Sequence, residues 1–548
     1  MNTKQRILII GGVAGGASCA ARTRRQSESA EIIIFDRGSF VSFANCGLPY
    51  YVGDVITDEK KLLVANTQLF KQRFNIEVRL ENEVLEIDRD AREISVKDLN
   101  SGQVYRERYD ALVLAPGASP VRPPLPGIDL PGIFALRTIP DSRRIRNWIV
   151  ERQVKQAVIV GGGFIGLEMA ENLVKRGIAV TLLEMLPQVM PPLDPEMVTP
   201  VHDRLTANGV QLRLGDGVTG FEQTREGTLI VSTKSGEKHP ADLVILGIGV
   251  RPETKLAKDA GLDIGDRGGI RVNEQMRTND EHIWAVGDAV EVRDWVTGEW
   301  MLIPLAGPAN RQGRVAADAI CGRDTMFRGV QGTTVCGVFG LIVAATGASE
   351  KTLKRVGMAY EKVYLHPGHH VGYYPGAKPI DMKLLFSPQE GRILGAQAVG
   401  EEGVEKRMDV IAMALQNRAT VFDLEEAELC YAPQFGAAKD PVNLAGMVAA
   451  NVLRGDAPII HWDKLADDEA LLLDVREIGE FEAGHVEGAL NIPLTQLRDR
   501  AHELPKDQKI AVYCQVGQRA YYATRALRLQ GFDAHNLTGG FKTYKAVQ

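Results

Sequence analysis

The sequence predicts an α/β protein of several domains. Two segments share one pattern, in which a short apolar strand runs into a glycine-rich turn and then a helix, at Gly11–Gly16 and at Gly161–Gly166. A further strand, loop and helix unit of about 90 residues lies near the C-terminus. Because the chain has 548 residues and a typical domain has ~150, several separate cores are expected.

The composition excludes several classes of protein. Apolar residues make up 45% and charged residues 24% of the chain, which is usual for globular proteins and excludes a mainly disordered one. The net charge of −6 argues against nucleic acid as a partner. No signal peptide or membrane-length apolar run is visible. Six scattered cysteines without a CxxC pair predict neither a disulfide framework nor a metal site. We therefore expect a cytoplasmic protein without a membrane partner.

The first glycine turn has the features of a dinucleotide-binding site. The strand Arg6–Ile10 leads into it, and a second strand ends in Asp36, twenty residues past the last glycine. N–H groups at the following helix can face a pyrophosphate, while the carboxylate accepts hydrogen bonds from a ribose. Val13 replaces the middle glycine of the usual pattern, which lets the backbone approach the pyrophosphate closely. One of two neighbouring glycines is therefore expected to provide this close approach. The glycines of this turn are Gly11, Gly12, Gly15 and Gly16, of which Gly12 and Gly15 are the two alternatives.

The second glycine turn matches the same pattern without a departure. It follows the strand Gln156–Val160, and the next strand ends in Glu184, eighteen residues past Gly166. A carboxylate there bonds a ribose 2′-hydroxyl and repels a 2′-phosphate, which favours NADH over NADPH. No arginine directly follows Glu184, although Arg176 precedes the strand. The three glycines of the pattern are Gly161, Gly163 and Gly166.

Three further segments resemble elements of the flavoproteins with two dinucleotide-binding domains. They are Ala111–Gly117, Gly247–Pro252 and Thr278–Asp288. The first two resemble the two crossover segments that connect the FAD-binding and NAD-binding domains of this family. The third resembles its second flavin fingerprint. The resemblance implies that FAD occupies the first glycine turn, with Asp288 on its ribityl chain and an inserted NAD domain. It implies an FAD-binding domain at 1–149 and 251–324 and an NAD-binding domain at 150–250, both Rossmann-like.

A single cysteine stands where dithiol flavoproteins carry two. Cys46 lies in a loop of Asn, Gly and Pro residues, and Tyr51 occupies the position of the second cysteine in a CxxxxC pair. One thiol can form a mixed disulfide, a persulfide or a sulfenic acid, but no internal disulfide. The reactive form is the thiolate, so we expect a helix N-terminus or a nearby cation to lower the pKa of Cys46.

The segment SFANCGLPYYVG resembles the active-site loop of the coenzyme A disulfide reductases, a motif also found in single-cysteine NADH oxidases and peroxidases. The resemblance implies that Ser42 and Asn45 surround the redox centre at Cys46. It also implies a homodimer in which two tyrosines reach the site from the partner subunit. One is Tyr431, and the other is either Tyr373 or Tyr374. A tyrosine hydroxyl can donate a proton to a leaving thiolate.

Cations near this loop are candidates for the phosphates of coenzyme A. They are Arg22, Lys71 and Arg73, with Arg25 a weaker candidate. A charge on a helix is often only a solvated face, and the two interpretations stay open at each position.

Two more domains complete the expected architecture. Residues 325–452 resemble the α+β dimerisation domain of these flavoproteins, and 458–548 resemble a rhodanese domain, a single α/β unit. In the latter, a strand delivers Cys514 to a loop before a helix, where N–H groups stabilise a thiolate and then a persulfide. Arg519 adds positive charge and is expected to order the loop against Asp474.

The function that follows is reduction of small sulfur compounds. We expect NAD(P)H to reduce FAD and FAD to reduce Cys46, while Cys514 delivers sulfane sulfur. Cleavage of CoA persulfide or polysulfide by Cys46 is the expected main activity, and cleavage of CoA disulfide is a related one. Two alternatives remain: an NADH oxidase or peroxidase that cycles through a sulfenic acid, and a non-catalytic sulfur relay or redox sensor. The appended rhodanese domain disfavours the first, and the complete NAD motif disfavours the second.

Overall fold

A computed structural model describes residues 5–467 and 469–548. The first four residues of the predicted FAD-binding segment therefore lie outside the described part. The chain divides into two compact units. The first comprises the residues up to Val189 and Gly209–Val330, and the second comprises Met190–Asn208 and Gln331–Gln548.

The first unit contains most of the elements up to residue 330. Strands and helices up to residue 151 are β1 (Arg6–Ile10), α1 (Ala14–Arg24), β2 (Glu31–Asp36), α2 (Leu48–Val52), α3 (Thr67–Phe74), β3 (Glu77–Leu80), β4 (Asn82–Asp88), β5 (Glu93–Asp98), β6 (Val104–Arg108), β7 (Ala111–Leu114), β8 (Ala118–Pro120), β9 (Ile133–Ala135) and α4 (Ile139–Glu151), with short 3-10 helices at Asn45–Gly47 and Glu59–Leu62. They are followed by β10 (Gln156–Val160), α5 (Phe164–Lys175), β11 (Ala179–Glu184), α6 (Pro195–Ala207, which belongs to the second unit), β12 (Gln211–Leu214), β13 (Val218–Gln223), β14 (Leu229–Thr233), β15 (Lys238–Ala241), β16 (Leu243–Leu246), β17 (Val250–Pro252), α7 (Lys255–Asp259), β18 (Ile270–Arg271), β19 (Ile283–Ala285), β20 (Val290–Arg293), β21 (Trp300–Leu302) and α8 (Ala306–Ile320).

Two parallel five-stranded sheets form the frame of this unit. Their strand orders are β19-β7-β1-β2-β3 and β12-β11-β10-β16-β9. In each sheet the strand that leads into a glycine turn lies between two parallel neighbours. Its apolar residues are buried, as is usual for inner strands of a parallel sheet whose faces are covered. Each turn thus lies at the carboxyl edge of a parallel sheet, where ligands bind in open α/β folds.

The second sheet begins earlier in the chain than the predicted start at residue 150. Its outermost strand β9 pairs in parallel with β16. Helix α4 follows β9 and is closed at its start by a capping box between Thr138 and Asp141. Strand β9 has only three residues, and its partner β16 lies more than 100 residues away. The local sequence therefore carries no pattern from which this strand could be predicted.

The second unit contains α6 and all later elements. These are β22 (Thr334–Val338), β23 (Leu341–Gly347), α9 (Glu350–Val356), β24 (Glu361–Leu365), β25 (Ile380–Phe386), β26 (Ile393–Gly400), α10 (Val404–Gln416), α11 (Val421–Glu425), α12 (Pro441–Leu453), β27 (Ile459–Ile460), β28 (Leu471–Asp474), α13 (Ile478–Glu482), β29 (Leu490–Asn491), α14 (Leu497–Arg500), β30 (Ile510–Tyr513), α15 (Gln518–Arg528), β31 (Ala534–Leu537) and α16 (Gly540–Val547), with 3-10 helices at Trp462–Asp467 and Ala501–Glu503.

An antiparallel sheet and a parallel sheet organise the second unit. The antiparallel sheet has the order β22-β23-β26-β25-β24 and the parallel one β27-β31-β30-β28-β29. Gly455, which adopts φ +72, lies in the connection between them, two residues after the end of α12. The predicted α/β class, with an α+β domain followed by a C-terminal α/β unit, is confirmed. Among residues 5–467 and 469–548, no helix has the length and apolar character needed to cross a membrane.

Candidate active site

The first glycine turn is held by the acid that follows β2. The N–H of Gly12 donates to Asp36 Oδ2 at 2.9 Å, and the N–H of Gly38 donates to Oδ1 at 2.8 Å. Burial raises the pKa of Asp36, against the opposing effect of these hydrogen bonds. A Cβ on Gly16 would lie 1.9 Å from the carbonyl oxygen of Gly11, so that position accepts only glycine. The turn, its acid and Asp288 after β19 fit an FAD dinucleotide.

Arg137 is a residue of this site that the sequence did not single out. Its guanidinium lies over Gly117, where an added Cβ would be 2.8 Å from Nη2, and it donates to the Pro116 carbonyl at 3.4 Å. Burial lowers the pKa of Arg137, an effect that Asp288 opposes. Burial raises the pKa values of Asp36 and Asp288, and Arg137 opposes that effect at both carboxyls. A half-buried guanidinium that acts on both acids is a candidate contact for a pyrophosphate. It lies on no recognisable motif, so no sequence signal marked it.

The second glycine turn repeats this arrangement. The N–H of Gly162 donates to Glu184 Oε2 at 2.7 Å, and the N–H of Leu186 donates to Oε1 at 2.8 Å. Gly163 differs from its neighbours, because the nearest protein atom to an added Cβ there is 3.9 Å away. Packing therefore does not demand glycine at 163, and the open space fits the close approach of a dinucleotide.

Cys46 lies beside the first glycine turn on the short 3-10 helix Asn45–Gly47, which runs into α2. Both Asn45 and Cys46 are exposed. The N–H of Ser42 donates to the Gly12 carbonyl at 2.8 Å, which ties the loop to the turn. Ser42 adopts φ +48, a left-handed conformation that non-glycine residues rarely take. The structure thus brings the three predicted residues of this loop together next to the dinucleotide cradle.

The expectation of a lowered thiol pKa at Cys46 is wrong for the protein groups around it. Burial, with the carboxylates of Glu168 and Asp288, raises the pKa of Cys46. A backbone hydrogen bond at Cys46 opposes these effects without reversing them. Stabilisation of the thiolate therefore has to come from groups other than these side chains.

Glu168 is a second residue that the sequence analysis missed. It lies on α5, where the hydroxyl of Tyr50 donates to its Oε1 at 3.2 Å. Burial raises the pKa of Glu168. A half-buried carboxyl beside a thiol is a plausible proton carrier in chemical terms. The signal was available, because Glu168 is the second residue after the last glycine of the second turn.

Ionic contacts anchor α2 to the neighbouring helices. Arg176 donates to the Val52 carbonyl at 2.8 Å and lies 3.3 Å from the Asp54 carboxylate. Arg146 pairs with Asp54 at 2.6 Å and stacks over the Tyr51 ring at 4.1 Å. These contacts fix the segment that follows Cys46.

The predicted phosphate cations occupy different environments. Arg22 on α1 forms a two-point ion pair with Asp318 on α8, at 2.7 and 3.1 Å. Lys71 and Arg73 are exposed on α3, and Lys71 donates to the Asn75 side chain at 3.2 Å. Their contact with coenzyme A stays a prediction.

A tyrosine pair forms in the second unit. The hydroxyls of Tyr373 and Tyr431 lie 2.8 Å apart, and both side chains are exposed. Tyr374 instead packs edge-on against His370, with ring centres 5.5 Å apart. Of the two alternatives, Tyr373 is therefore the one whose hydroxyl meets that of Tyr431. The hydrogen bond to Tyr431 raises the pKa of Tyr373.

The Cys514 loop connects β30 to α15. Cys514 is buried, and Gly517 at φ +89 directly precedes the helix. The loop carbonyls of Cys514 and Gln515 accept hydrogen bonds from Phe541 and Lys542 at 2.7 and 3.0 Å. The first N–H groups of a helix have no partner within it, so those after Gly517 are available to an anionic sulfur.

The predicted contact between Arg519 and Asp474 is wrong. Asp474 is fully buried and pairs with Arg476 at 2.7 Å, because Arg476 lies only two residues away. Arg519 instead forms a two-point pair with Glu480 on α13, at 2.6 and 2.7 Å. This pair raises the pKa of Arg519, and the Cys514 sulfur adds to the effect. Arg519 thus lies beside the cysteine, with a different partner.

Comparison with known proteins places this architecture in a family. Residues 5–313 match the pyridine nucleotide-disulphide oxidoreductase family, 333–440 match the dimerisation domain of that family, and 459–547 match the rhodanese-like domain. The chain belongs to the pyridine nucleotide-disulphide oxidoreductases. It is an oxidoreductase of the NAD(P)H- and FAD-dependent type with a fused rhodanese domain.

Individual relatives resemble the chain over most of its length. It is 33% identical to the coenzyme A disulfide reductase of Staphylococcus haemolyticus over 449 residues, covering 82% of this chain and 100% of the relative. The structure of reduced Bacillus anthracis CoADR-RHD is 48% identical with a TM-score of 0.97, covering 99% of this chain and 98% of the other. An NAD-dependent persulfide reductase from A. fulgidus is 36% identical with a TM-score of 0.92, covering 98% and 100%.

Proposed function

We propose that the chain is an NAD(P)H-dependent reductase of CoA persulfide and CoA disulfide, to which the rhodanese domain supplies sulfane sulfur. The observation that carries the proposal is the presence of two separate thiols in one chain. Cys46 is exposed beside a dinucleotide cradle, and Cys514 lies at a helix start beside Arg519. The relatives named for coenzyme A disulfide reductase and persulfide reductase support the same chemistry.

The reaction at Cys46 balances as a thiol–disulfide exchange. The Cys46 thiolate attacks the CoA-bound sulfur of CoA persulfide, the sulfur–sulfur bond breaks, and hydrosulfide leaves. A mixed disulfide between Cys46 and CoA remains. FAD, when bound, supplies the two-electron link between the pyridine nucleotide and this sulfur. Two electrons cleave the mixed disulfide and return Cys46 and CoA as thiolates. CoA disulfide enters the same cycle with CoA thiolate as the first leaving group.

The chain's own residues supply positions and protons for this cycle. Glu168 beside Cys46 accepts the thiol proton through a carboxyl whose pKa is raised by burial. In the proposed homodimer, the hydroxyl pair Tyr373–Tyr431 of one protomer serves Cys46 of the other and protonates the leaving thiolate. Arg22, Lys71 and Arg73 are the proposed phosphate contacts, of which the exposed Lys71 and Arg73 have the freer side chains.

We further propose that NADH is the preferred nucleotide. Glu184 occupies the position of the 2′-hydroxyl acceptor, and Met185 and Leu186 follow it without a cation. Arg176 is engaged with Val52 and Asp54, away from any role with a 2′-phosphate. Glu184→Gln keeps an acceptor for the turn and removes the charge. We expect it to raise the ratio of kcat/KM for NADPH over NADH by about tenfold, in steady-state assays.

The deciding experiment is anaerobic NADH oxidation with CoA persulfide, CoA disulfide and glutathione disulfide as separate substrates, with released sulfide assayed. We expect steady turnover on both CoA substrates, sulfide only from the persulfide, and little activity on glutathione disulfide. Turnover only after oxygen or peroxide is admitted would overturn the proposal in favour of an oxidase. A single reduction without turnover would point to a sensor.

A further inference from the structure

One face of strand β24 contacts the rhodanese domain. Lys362 and Tyr364 are two positions apart on this strand, so their side chains point to the same side. Lys362 Nζ lies 3.4 Å from the Asp463 carboxylate, and the N–H of Tyr364 donates to the Thr538 hydroxyl at 3.0 Å. Two residues of the antiparallel sheet thus meet two separate segments of the rhodanese domain.

His366 continues this face just beyond the end of β24. Its Nδ1 lies 2.7 Å from Asp381 Oδ1, and its Nε2 lies 3.0 Å from Thr543 Oγ1 on α16. The His366 side chain is only 7% exposed, and Lys542 pairs with the same carboxylate. Each ring nitrogen of His366 therefore has a partner, one in each domain.

The turn Gly539–Gly540 lies between this face and the Cys514 loop. Both glycines adopt positive φ, at +74 and +64. A Cβ on Gly539 would lie 2.7 Å from the Cβ of Tyr364 and 2.0 Å from Thr543 Oγ1. A Cβ on Gly540 would lie 2.4 Å from the Cys514 carbonyl oxygen. The turn is thus in direct contact with the dimerisation domain on one side and the sulfur-carrying loop on the other.

A buried charge network fixes the strand that presents this face. Lys383 is fully buried, and its Nζ lies within 2.5 to 2.8 Å of the carboxylates of Asp194, Glu196 and Glu350. The hydroxyl of Tyr364 donates to Glu196 at 2.7 Å. Because removal of one member would leave a buried charge unpaired, the network resists displacement of β24. The strand is therefore a rigid support for the turn.

We propose that His366 and Tyr364 are positioning residues for sulfur transfer at Cys514. They hold the Gly539–Gly540 turn, and the turn sets the geometry of the Cys514 loop. The inference rests on the proposed role of Cys514 as the sulfur carrier. In that step the Cys514 thiolate attacks the outer sulfur of a persulfide donor, the sulfur–sulfur bond breaks, and the donor leaves as a thiolate. His366 acts through the turn and not on the sulfur itself.

The test compares two histidines that both join the domains. His366→Ala removes the contact to the turn's helix. His461→Ala is the matched control, because His461 Nε2 also lies 2.7 Å from a carboxylate, that of Glu361, but at the start of the rhodanese domain. Glutathione persulfide is the donor, and mass spectrometry of the peptide containing Cys514 measures the rate at which one sulfur atom is gained. We expect His366→Ala to lower the maximal rate roughly tenfold without raising the half-saturating donor concentration, and His461→Ala to change it less than about twofold.

Two further readouts separate positioning from misfolding. His366→Gln retains an amide that reaches Thr543, so it should restore the rate to within about threefold of the original. Amide hydrogen exchange of residues 514–519 should become faster in His366→Ala and stay unchanged in His461→Ala. Equal losses in both alanine variants, or unchanged exchange in His366→Ala, would overturn the proposal. If the unmodified chain takes up no sulfur at Cys514, the proposed function fails, whereas the exchange comparison still decides the positioning.

Discussion

The two cysteines proposed for the sulfur chemistry have opposite surroundings. Cys46 is exposed, and the charged groups that act on it are the carboxylates of Glu168 and Asp288. Cys514 is buried at the start of a helix, with the guanidinium of Arg519 beside it. The rhodanese loop therefore carries its own means of stabilising an anionic sulfur. The charged side chains that act on Cys46 disfavour its thiolate, so in the proposed mechanism the stabilisation of that anion falls to the cofactor and the substrate.

The largest effect is expected when serine replaces the cysteine at each site in turn. Cys46→Ser should lower NADH-dependent reduction of CoA disulfide and CoA persulfide by roughly 1,000-fold or more, because the nucleophile is lost. Sulfur loading at Cys514 should persist in that variant. Cys514→Ser should give the reciprocal result, with CoA disulfide reduction intact. Steady-state NADH oxidation and peptide mass measurements check both arms, and reductase activity that survived in Cys46→Ser would refute the role assigned to it.

An intermediate effect is expected from the cation beside Cys514. Arg519→Gln removes the positive charge and leaves Glu480 unpaired, so persulfide formation at Cys514 should slow by about tenfold. CoA disulfide reduction should not change. Arg525→Gln is the matched control, since Arg525 lies on the same helix and pairs with Asp456 at 2.9 Å. If both variants load sulfur at the original rate, the contrast between the two thiols does not depend on Arg519.

The smallest effect is expected from the acid beside Cys46. Glu168→Gln removes a negative charge that raises the pKa of Cys46, so the thiol pKa should fall and more thiolate should be present at neutral pH. We expect alkylation of Cys46 by iodoacetamide at neutral pH to become about two- to fivefold faster, with the pH profile displaced to lower pH. Glu171→Gln, one turn away on α5, serves as the control. A profile displaced to higher pH would contradict the sign of this interaction.

Local patterns were sufficient for much of the fold. The runs Arg6–Ile10 and Gln156–Val160 are strands with the predicted bounds. In each run, four apolar residues and the glycines that follow specify a buried strand and a tight turn within a few residues of sequence. The strand β9 could not be found in the same way, since its three residues pair only through the long-range contact with β16.

The residues of the candidate sites also fall into those marked by a local pattern and those that depend on tertiary contacts. Asp36, Glu184, Cys46 and Cys514 were predicted because each stands at a fixed spacing from a glycine turn or in a recognisable loop. Arg137 was missed, because its charge acts on Asp36 and Asp288, and both are distant from it in sequence. The partner of Arg519 was predicted wrongly for a related reason. Arg476 competes with Arg519 for Asp474, Glu480 competes with Asp474 for Arg519, and only the packing decides which pairs form.

The sequence by itself determined the order of domains and the two glycine turns, and it predicted Cys46 and Cys514 as the reactive cysteines, because each depends on short spacings that fix a local conformation. The tertiary structure decided which charges act on those thiols, which tyrosine meets Tyr431, and how β24 supports the Cys514 loop. Those features depend on side chains brought together from remote segments. Electrostatic interactions depend on distance and burial in three dimensions, and neither quantity can be obtained from spacing along the chain.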